Sequence, residues 1–304
     1  RDAGRIRIGI SAWTEPTLTA AGVFYPDGVS SAEGRLRYYA SRFPLVEVDS
    51  SYYALPTAEM AERWVERTPD GFTFDVKAHA ILTGHATEPA RLPRALRDAL
   101  PAALAARRRV RADELPTEVR DEAWRLFVRA LDPLRDADKL GAVLLQFPPW
   151  FAPSRESARE LVRAAERLEG LPAAIELRHA GWFEGRVAAR TIEFLREHAL
   201  PFVMVDEPQG FENSVPPVSA VTSPALAIVR LHGRRAATWT RATPRAVDRF
   251  RYLYDDAELR EWIAPIRDAA RAAREVHVVF NNCYGNYATT NALEFAALLA
   301  DGGT

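Results

Sequence analysis

The sequence predicts an α/β fold, a single (β/α)8 barrel of the TIM type with a long helical connection after its third strand. Three observations predict it. Eight short β-like runs recur along the chain, most of them apolar on both faces, as parallel strands covered on both sides are. Helical patterns alternate with them. Every run but the first ends in a charged or amide side chain, at the position where barrels carry their functional groups. At 304 residues the whole chain, 1–304, fits one large barrel as one domain. An open doubly wound sheet is the alternative, weakened because no GxGxxG follows the first strand.

Taken in order, the first run, 6–11, ends in Ser11-Ala12-Trp13. The second, 45–50, places Glu47, Asp49 and Ser51 on one face by the period of two, followed by Tyr52 and Tyr53. The third, 72–77, ends in Lys77, with His79 on the same face. The fourth, 142–147, carries Gln146 ahead of Phe147-Pro148-Pro149-Trp150. The fifth, 173–177, gives Glu176 and Arg178 on one face, then His179 and Trp182. The sixth, 202–206, ends in Asp206-Glu207-Pro208, and the seventh, 227–231, brings Arg230 and His232 to one face before Gly233. The eighth, 276–280, runs into Asn281 and Asn282, and four of the chain's five asparagines crowd into 281–291. Helical patterns cover 34–42, 58–67, 118–135, 157–168, 187–198, 256–274 and 292–300, the last with Thr290 or Asn291 as its N-cap. The connection 78–140 holds more than one helix's worth of chain, including 93–108, and is a candidate lid.

Composition narrows the function classes. Hydrophobic residues make up 48% of the chain, ample for a full core, yet no window reaches the roughly 18 uncharged apolar residues of a membrane span. The start, RDAGRIRIGI, reads as no signal peptide, and one cysteine fits a reducing, cytoplasmic compartment. A formal net charge of −1 gives no global field for nucleic acid. Only the RRRVR run at 107–111 keeps nucleic acid open as a partner, against the blander reading of a solvated helix end. The chain uses arginine almost wherever it needs a cation, with lysine only at 77 and 139, so Lys77 at a strand end stands out.

Lys77 suits a Schiff base, a depressed-pKa base or an anion contact; the alternative is an ion pair with Asp49 or Glu47 on the next strand. Arg178 and Arg230 present forks that fit phosphate or carboxylate, or pair with Glu176. His79, His179 and His232 with Glu176 or Asp206 would suit a divalent metal, although no fixed ligand spacing is present. No cofactor is expected. Glu176 with Asp206 or Glu207 would also suit the carboxylate pair of a glycosidase. Trp13, Tyr52, Tyr53, Trp150 and Trp182 offer ring faces or pack as a rim. Cys283 lacks a nucleophile elbow and reads as a small buried residue.

Several segments together carry a resemblance. They are Ile8-Gly9-Ile10-Ser11-Ala12-Trp13, Val46-Glu47-Val48-Asp49-Ser50-Ser51-Tyr52-Tyr53, Phe72-Thr73-Phe74-Asp75-Val76-Lys77-Ala78, and Leu144-Leu145-Gln146-Phe147-Pro148-Pro149. They continue with Ile175-Glu176-Leu177-Arg178-His179, Val205-Asp206-Glu207-Pro208, Val229-Arg230-Leu231-His232-Gly233-Arg234, and Phe280-Asn281-Asn282 with Tyr287 and Asn291. In this order, across nearly the whole chain, they resemble the DUF72 (YecE-like) family. The resemblance implies a TIM-type barrel in a cytoplasmic bacterial or archaeal protein and implies no reaction. Its recurrent positions fall on Glu47, Lys77, Gln146, Glu176, Arg178, Asp206, Arg230, His232, Asn281 and Asn282. The chain departs from the family in Asp49, where Asn is commoner, and Cys283 is not a required position.

The expectation is therefore a cofactor-free barrel enzyme, hydrolase- or lyase-like, acting on a small phosphate- or carboxylate-bearing substrate. Lys77, Glu176, Asp206 and His232 form its catalytic set, with Glu176 or Asp206 as base and His232 as acid. Arg178, Arg230, Gln146, Asn281, Asn282, Glu47, Asp49, Trp13, Tyr52 and Tyr287 bind substrate. The alternatives are a metal-assisted phosphodiesterase or nucleic-acid-processing protein, and a non-catalytic ligand-binding module whose charged groups pair among themselves.

Overall fold

In the computed structural model, which describes residues 3–20, 22, 24–211, 214–240 and 246–301, eight strands form the frame. They are β1 (Arg5–Ser11), β2 (Leu45–Val48), β3 (Thr73–Lys77), β4 (Leu140–Phe147), β5 (Ala173–Leu177), β6 (Val203–Asp206), β7 (Leu226–Leu231) and β8 (Glu275–Phe280). All pair in parallel, in the order β5-β4-β3-β2-β1-β8-β7-β6. The two ends of that order meet at one bridge, Ile175 against Phe202, where the Ile175 N–H donates to the Pro201 carbonyl at 2.8 Å. The sheet is thus a nearly closed TIM-type barrel with a thin seam between β5 and β6.

The longer helices are α1 (Ala32–Ala40), α2 (Ala58–Glu66), α3 (Thr117–Ala130), α4 (Arg155–Glu166), α5 (Gly185–Glu197), α6 (Asp256–Glu261), α7 (Ile263–Ala272) and α8 (Tyr287–Asp301). Prolines explain where they depart from the periodicity. The pattern 118–135 breaks after Ala130, because Pro133 lacks the N–H that a continuous helix needs, and Asp132–Asp136 forms a separate turn. The pattern 256–274 breaks at Trp262, three residues before Pro265. In 93–108, Pro101 separates Arg94–Asp98 from Ala102–Ala105. The last helix begins at Tyr287, so neither Thr290 nor Asn291 is its N-cap; both lie inside its first turns.

Two strand-level expectations also shift. β2 stops at Val48, and Ser50–Tyr52 winds into a 3-10 turn, so the period of two ends before Asp49. Ser51 therefore does not face the barrel mouth. Its hydroxyl lies 2.7 Å from the Val48 carbonyl and 2.6 Å from that of Lys77, tying β2 to β3. β4 starts two residues early, at Leu140, because Gly141 can pass where a Cβ would meet Thr73, Asp75 and His277 at 2.5–2.7 Å. Between β6 and β7 the described residues form no helix. That stretch is braced instead by Thr222, whose hydroxyl accepts from the Phe202 N–H at 2.7 Å and donates to the Leu200 carbonyl at 2.6 Å.

The main apolar core fills the layer between strands and helices. Inside the barrel a smaller cluster, including Ala142, Leu144, Ala174, Val205 and Ile228, occupies one half. The other half is polar and buried: Ser11, Glu47, Asp75, Arg230 and His277. Among the described residues no helix is long and apolar enough to cross a membrane.

Candidate functional site

The strand ends meet around one guanidinium. β7 alternates Ile228, Arg230 and His232 toward the barrel interior, and Arg230 is fully buried there. Its Nε donates to Glu47 Oε2 at 2.8 Å and its Nη2 to Glu47 Oε1 at 2.6 Å, the two-pronged geometry that suits a carboxylate. Its Nη1 donates to Glu176 Oε2 at 2.6 Å. The other oxygen of Glu176 accepts from Gln146 Nε2 at 2.7 Å and Arg178 Nη1 at 3.2 Å. Arg178 Nη1 lies 2.7 Å from Glu207 Oε2, and the Val215 N–H donates to Glu207 Oε1 at 2.7 Å. Ser11 Oγ donates to Glu47 at 2.9 Å. The result is one buried chain of charge, Glu47–Arg230–Glu176–Arg178–Glu207, crossing the barrel.

Position in this chain sets each group's proton affinity. Burial opposes charge on Arg230, but Glu176 and Glu47 outweigh it and hold the guanidinium above its ordinary range. Burial likewise pushes the Glu176 carboxyl up, yet the Arg230 charge, with Arg178 beside it, holds it well below the carboxylate norm. Glu47 ends above its norm, because burial and the Asp49 charge outweigh Arg230 and Lys77. Burial also leaves Glu207 above its norm despite Arg178.

His232 stands beside this chain. Asn281 Nδ2 is 2.8 Å from its Nδ1, so Nδ1 accepts and Nε2 carries the proton. Nε2 is buried, lies 3.6 Å from Glu176 Oε1 and makes no hydrogen bond. Burial, reinforced by Arg230 and Arg178, pushes the imidazole down to about 3, so it is neutral at physiological pH.

Lys77 donates to Asp49 Oδ1 at 2.8 Å and sits 4.6 Å from the Tyr52 ring centroid. The Asp49 carboxyl, opposed by burial but outweighed by Lys77, lies below its norm. This pair is the more open part of the site, with 26% of the Asp49 side chain exposed. Beside it a cleft of about 410 Å³ opens between Ala12, Glu15, Asp49, Tyr53, Asn281 and Cys283.

Not every expected site residue joins this group. Asp206 accepts both nitrogens of an Arg234 fork at 2.9–3.1 Å and the Tyr254 hydroxyl at 2.5 Å. Asn282 Nδ2 donates to the Tyr252 carbonyl at 2.8 Å and to Asn291 Oδ1 at 2.9 Å. Asn291 in turn clasps both the N–H and the carbonyl of Tyr254, at 3.0 and 2.9 Å. Both asparagines hold the 252–254 segment over the barrel end. Trp13 is buried edge-on against Trp64, centroids 6.2 Å apart, and its carbonyl accepts the Tyr25 hydroxyl. Tyr287 opens α8 against Tyr284. Cys283 is buried, donates to the Ser11 carbonyl at 2.7 Å, and burial pushes its thiol up.

The three histidines do not converge. His79 and His179 accept from the N–H groups of Ile81 and Gly181 through Nδ1, closing turns at their own strand ends. No cluster of three metal-type ligands forms among the described residues. The run 107–111 lies on the long connection, with Arg107 bound to Glu114 and Arg111 to Asp113. Arg109 donates to the Ala86 carbonyl at 3.2 Å, and burial, aided by Lys77 and Arg109, pushes the His85 imidazole down to about 4.

Arg234 and Tyr254, which hold Asp206, were not among the expected site residues. Gly233, at φ +87°, turns the chain directly after β7, and a Cβ there would meet the Tyr252 side chain at 2.7 Å. The alternation Arg230, His232, Arg234 was the available signal.

Fold and site define an α/β barrel with a ring of paired charges at its C-terminal end. The chain belongs to the DUF72 family, described as "Protein of unknown function DUF72", which it matches over residues 7–304. It is 31% identical over 298 residues to UPF0759 protein YunF of Bacillus subtilis (strain 168), covering 97% of this chain and 94% of that protein. It is 30% identical over 182 residues to UPF0759 protein YecE of Escherichia coli (strain K12), covering 59% of this chain and 50% of that protein. Crystal structures of two DUF72 family proteins share the fold. EF0366 of Enterococcus faecalis V583 matches with a TM-score of 0.77 at 28% identity, covering 97% of this chain and 96% of that one. TM1631 of Thermotoga maritima MSB8 matches at 0.75 and 28%, covering 97% and 99%.

Proposed function

We propose that the C-terminal end of the barrel binds a small anionic substrate, carboxylate- or phosphate-bearing, and transforms it by acid–base chemistry in a cytoplasmic enzyme. The observation that carries this reading is the buried, unpartnered Nε2 of His232, 3.6 Å from Glu176. A polar atom left without a partner at a strand end is costly unless a ligand meets it.

The roles follow from the proton affinities. Neutral His232 offers Nε2–H to negative charge developing on the substrate, as a neutral imidazole electrophile does. Glu176, held ionised by Arg230, fixes the field but is a weak base. Glu207, raised by burial, is the stronger base of the two carboxylates that share Arg178. Asp206, fully engaged by Arg234 and Tyr254, passes from base to support. Lys77 and Arg178 hold the anion by exchanging a carboxylate partner for it.

The test is a thermal-shift screen of small carboxylates and phosphates with the wild type, Lys77→Ala and Arg178→Ala. Selected anions stabilise the wild type and not the variants; equal shifts in all three, or none with any anion, overturn the reading. For a turned-over hit, His232→Gln lowers kcat with little change in KM. The wild-type profile has no histidine inflection between about pH 5 and 8, because His232 does not titrate there. One observation favours a second reading: Arg230, Arg178, Lys77 and Arg234 each already have a carboxylate partner. A non-catalytic ligand-binding module would give the same shifts without turnover.

A further inference from the structure

A second cleft, of about 490 Å³, lies outside the barrel between the start of α3 and the loop from β4 to α4. Its size is that of small-molecule sites. Arg120 and Trp124 stand four residues apart on α3 and so share a face. Across from them are Phe147 and Phe151, stacked with centroids 4.5 Å apart, and Trp150, 57% exposed. An exposed tryptophan at the edge of an aromatic wall is a surface that lacks its cover.

The charges around this cleft are balanced except at one residue. Arg111 is held by Asp113 at 3.1 Å, and Arg167 reaches Asp121 at 3.3 Å while lying 5.9 Å from the Trp124 ring centroid. Glu160 is taken by Arg163. Arg120 has no carboxylate in ion-pair range among the described residues. Its Nη2 reaches Thr117 Oγ1 at 3.4 Å, and its Nε is shut away from water with no acceptor. A guanidinium without a carboxylate and with an unmet Nε has the donors free that grip two oxygens of one oxyanion when the side chain turns toward it.

We propose that this cleft is a binding site for a small organic anion, a carboxylate or phosphate head on a flat apolar body. The head would meet the Arg120 guanidinium once that side chain turns its fork into the cleft, and the body would cover the wall formed by Trp124, Phe147, Phe151 and Trp150. This site shares no residue with the charge chain at the barrel mouth, and its occupant need not be the substrate.

Titrating phenyl phosphate and benzoate into the intact protein, followed by tryptophan fluorescence and calorimetry, tests it. Both bind more tightly than inorganic phosphate, acetate or benzyl alcohol. Arg120→Gln weakens them at least tenfold, Arg120→Lys weakens them by losing the fork, and Trp150→Ala weakens them without changing the affinity for inorganic phosphate. Lys77→Ala with Arg178→Ala leaves them unchanged. Far-UV circular dichroism verifies that each variant is folded, and Arg120→Lys keeps the question answerable should Arg120→Gln fail to fold. Wild-type affinity in the folded Arg120 variants, no preference for the aromatic anions, or no binding by either probe overturns the proposal. Loss of binding in the Lys77/Arg178 variant also overturns it and places the probe at the mouth.

Discussion

Replacing Arg230 by Met removes the positive centre of the buried charge chain while keeping most of its volume. Glu47 and Glu176 then remain buried with their charges unmet, apart from what Ser11, Gln146 and Arg178 provide. Truncating one partner of a buried ion pair costs roughly 3–5 kcal/mol, and Arg230 serves two carboxylates, which places the variant at the upper end. With roughly 2–4 °C per kcal/mol for large domains, the melting midpoint falls by about 10 °C or more. The pH dependence is the sharper signature. In the wild type the depressed Glu176 carboxyl contributes stability that is present above its unfolded pKa and lost as pH falls. In the variant the orphaned carboxyls are raised, so they favour the fold in acid and cost stability as pH rises through their folded pKa. The deficit against wild type therefore widens from pH 5 to pH 8. Urea denaturation followed by circular dichroism at both pH values measures it, and adding Glu47→Gln recovers part of the loss. A variant that unfolds at the wild-type midpoint at both pH values, or whose deficit shrinks toward pH 8, would refute the reasoning.

Asn291→Ala removes the clasp on Tyr254 and is expected to cost about 1–3 kcal/mol, with faster amide exchange at Tyr254 and no change in helix content. Unchanged exchange there would mean that the segment is held by other contacts. The thiol of Cys283, buried and pushed up, is expected to resist a disulfide reagent in the native state and to react at once in denaturant; rapid labelling of the folded protein contradicts that.

The barrel was legible because a parallel strand buried on both faces leaves an apolar run of fixed length, and seven of the eight strand ends announced themselves by a polar residue closing such a run. The Lys77–Asp49 and Arg178–Glu176 pairs were foreseeable as neighbours on adjacent or single strands. The Arg230–Glu47 pair was not, because its partners are 183 residues apart and face each other across the barrel. The asparagine cluster divides for a related reason. An amide reads the same in sequence whether it faces a ligand, as the position of Asn281 permits, or clasps a neighbouring backbone, as Asn282 and Asn291 do. The turn after Val48 depends on tertiary contacts that periodicity does not encode, whereas the lack of a helix among the described residues between β6 and β7 matches the absence of a helical pattern there.

The thin seam between β5 and β6 gives the charge chain a second meaning. Below, the seam is held by one backbone bridge; above, Arg178 just past β5 reaches Glu207 just past β6 at 2.7 Å. That ion pair works as a clasp across a rolled sheet, and its cation also donates to Glu176 Oε1, the oxygen that faces His232 Nε2 at 3.6 Å. If the mouth takes an anion as proposed, drawing Arg178 away from Glu207 would loosen the clasp, so occupancy and barrel closure would draw on the same bond.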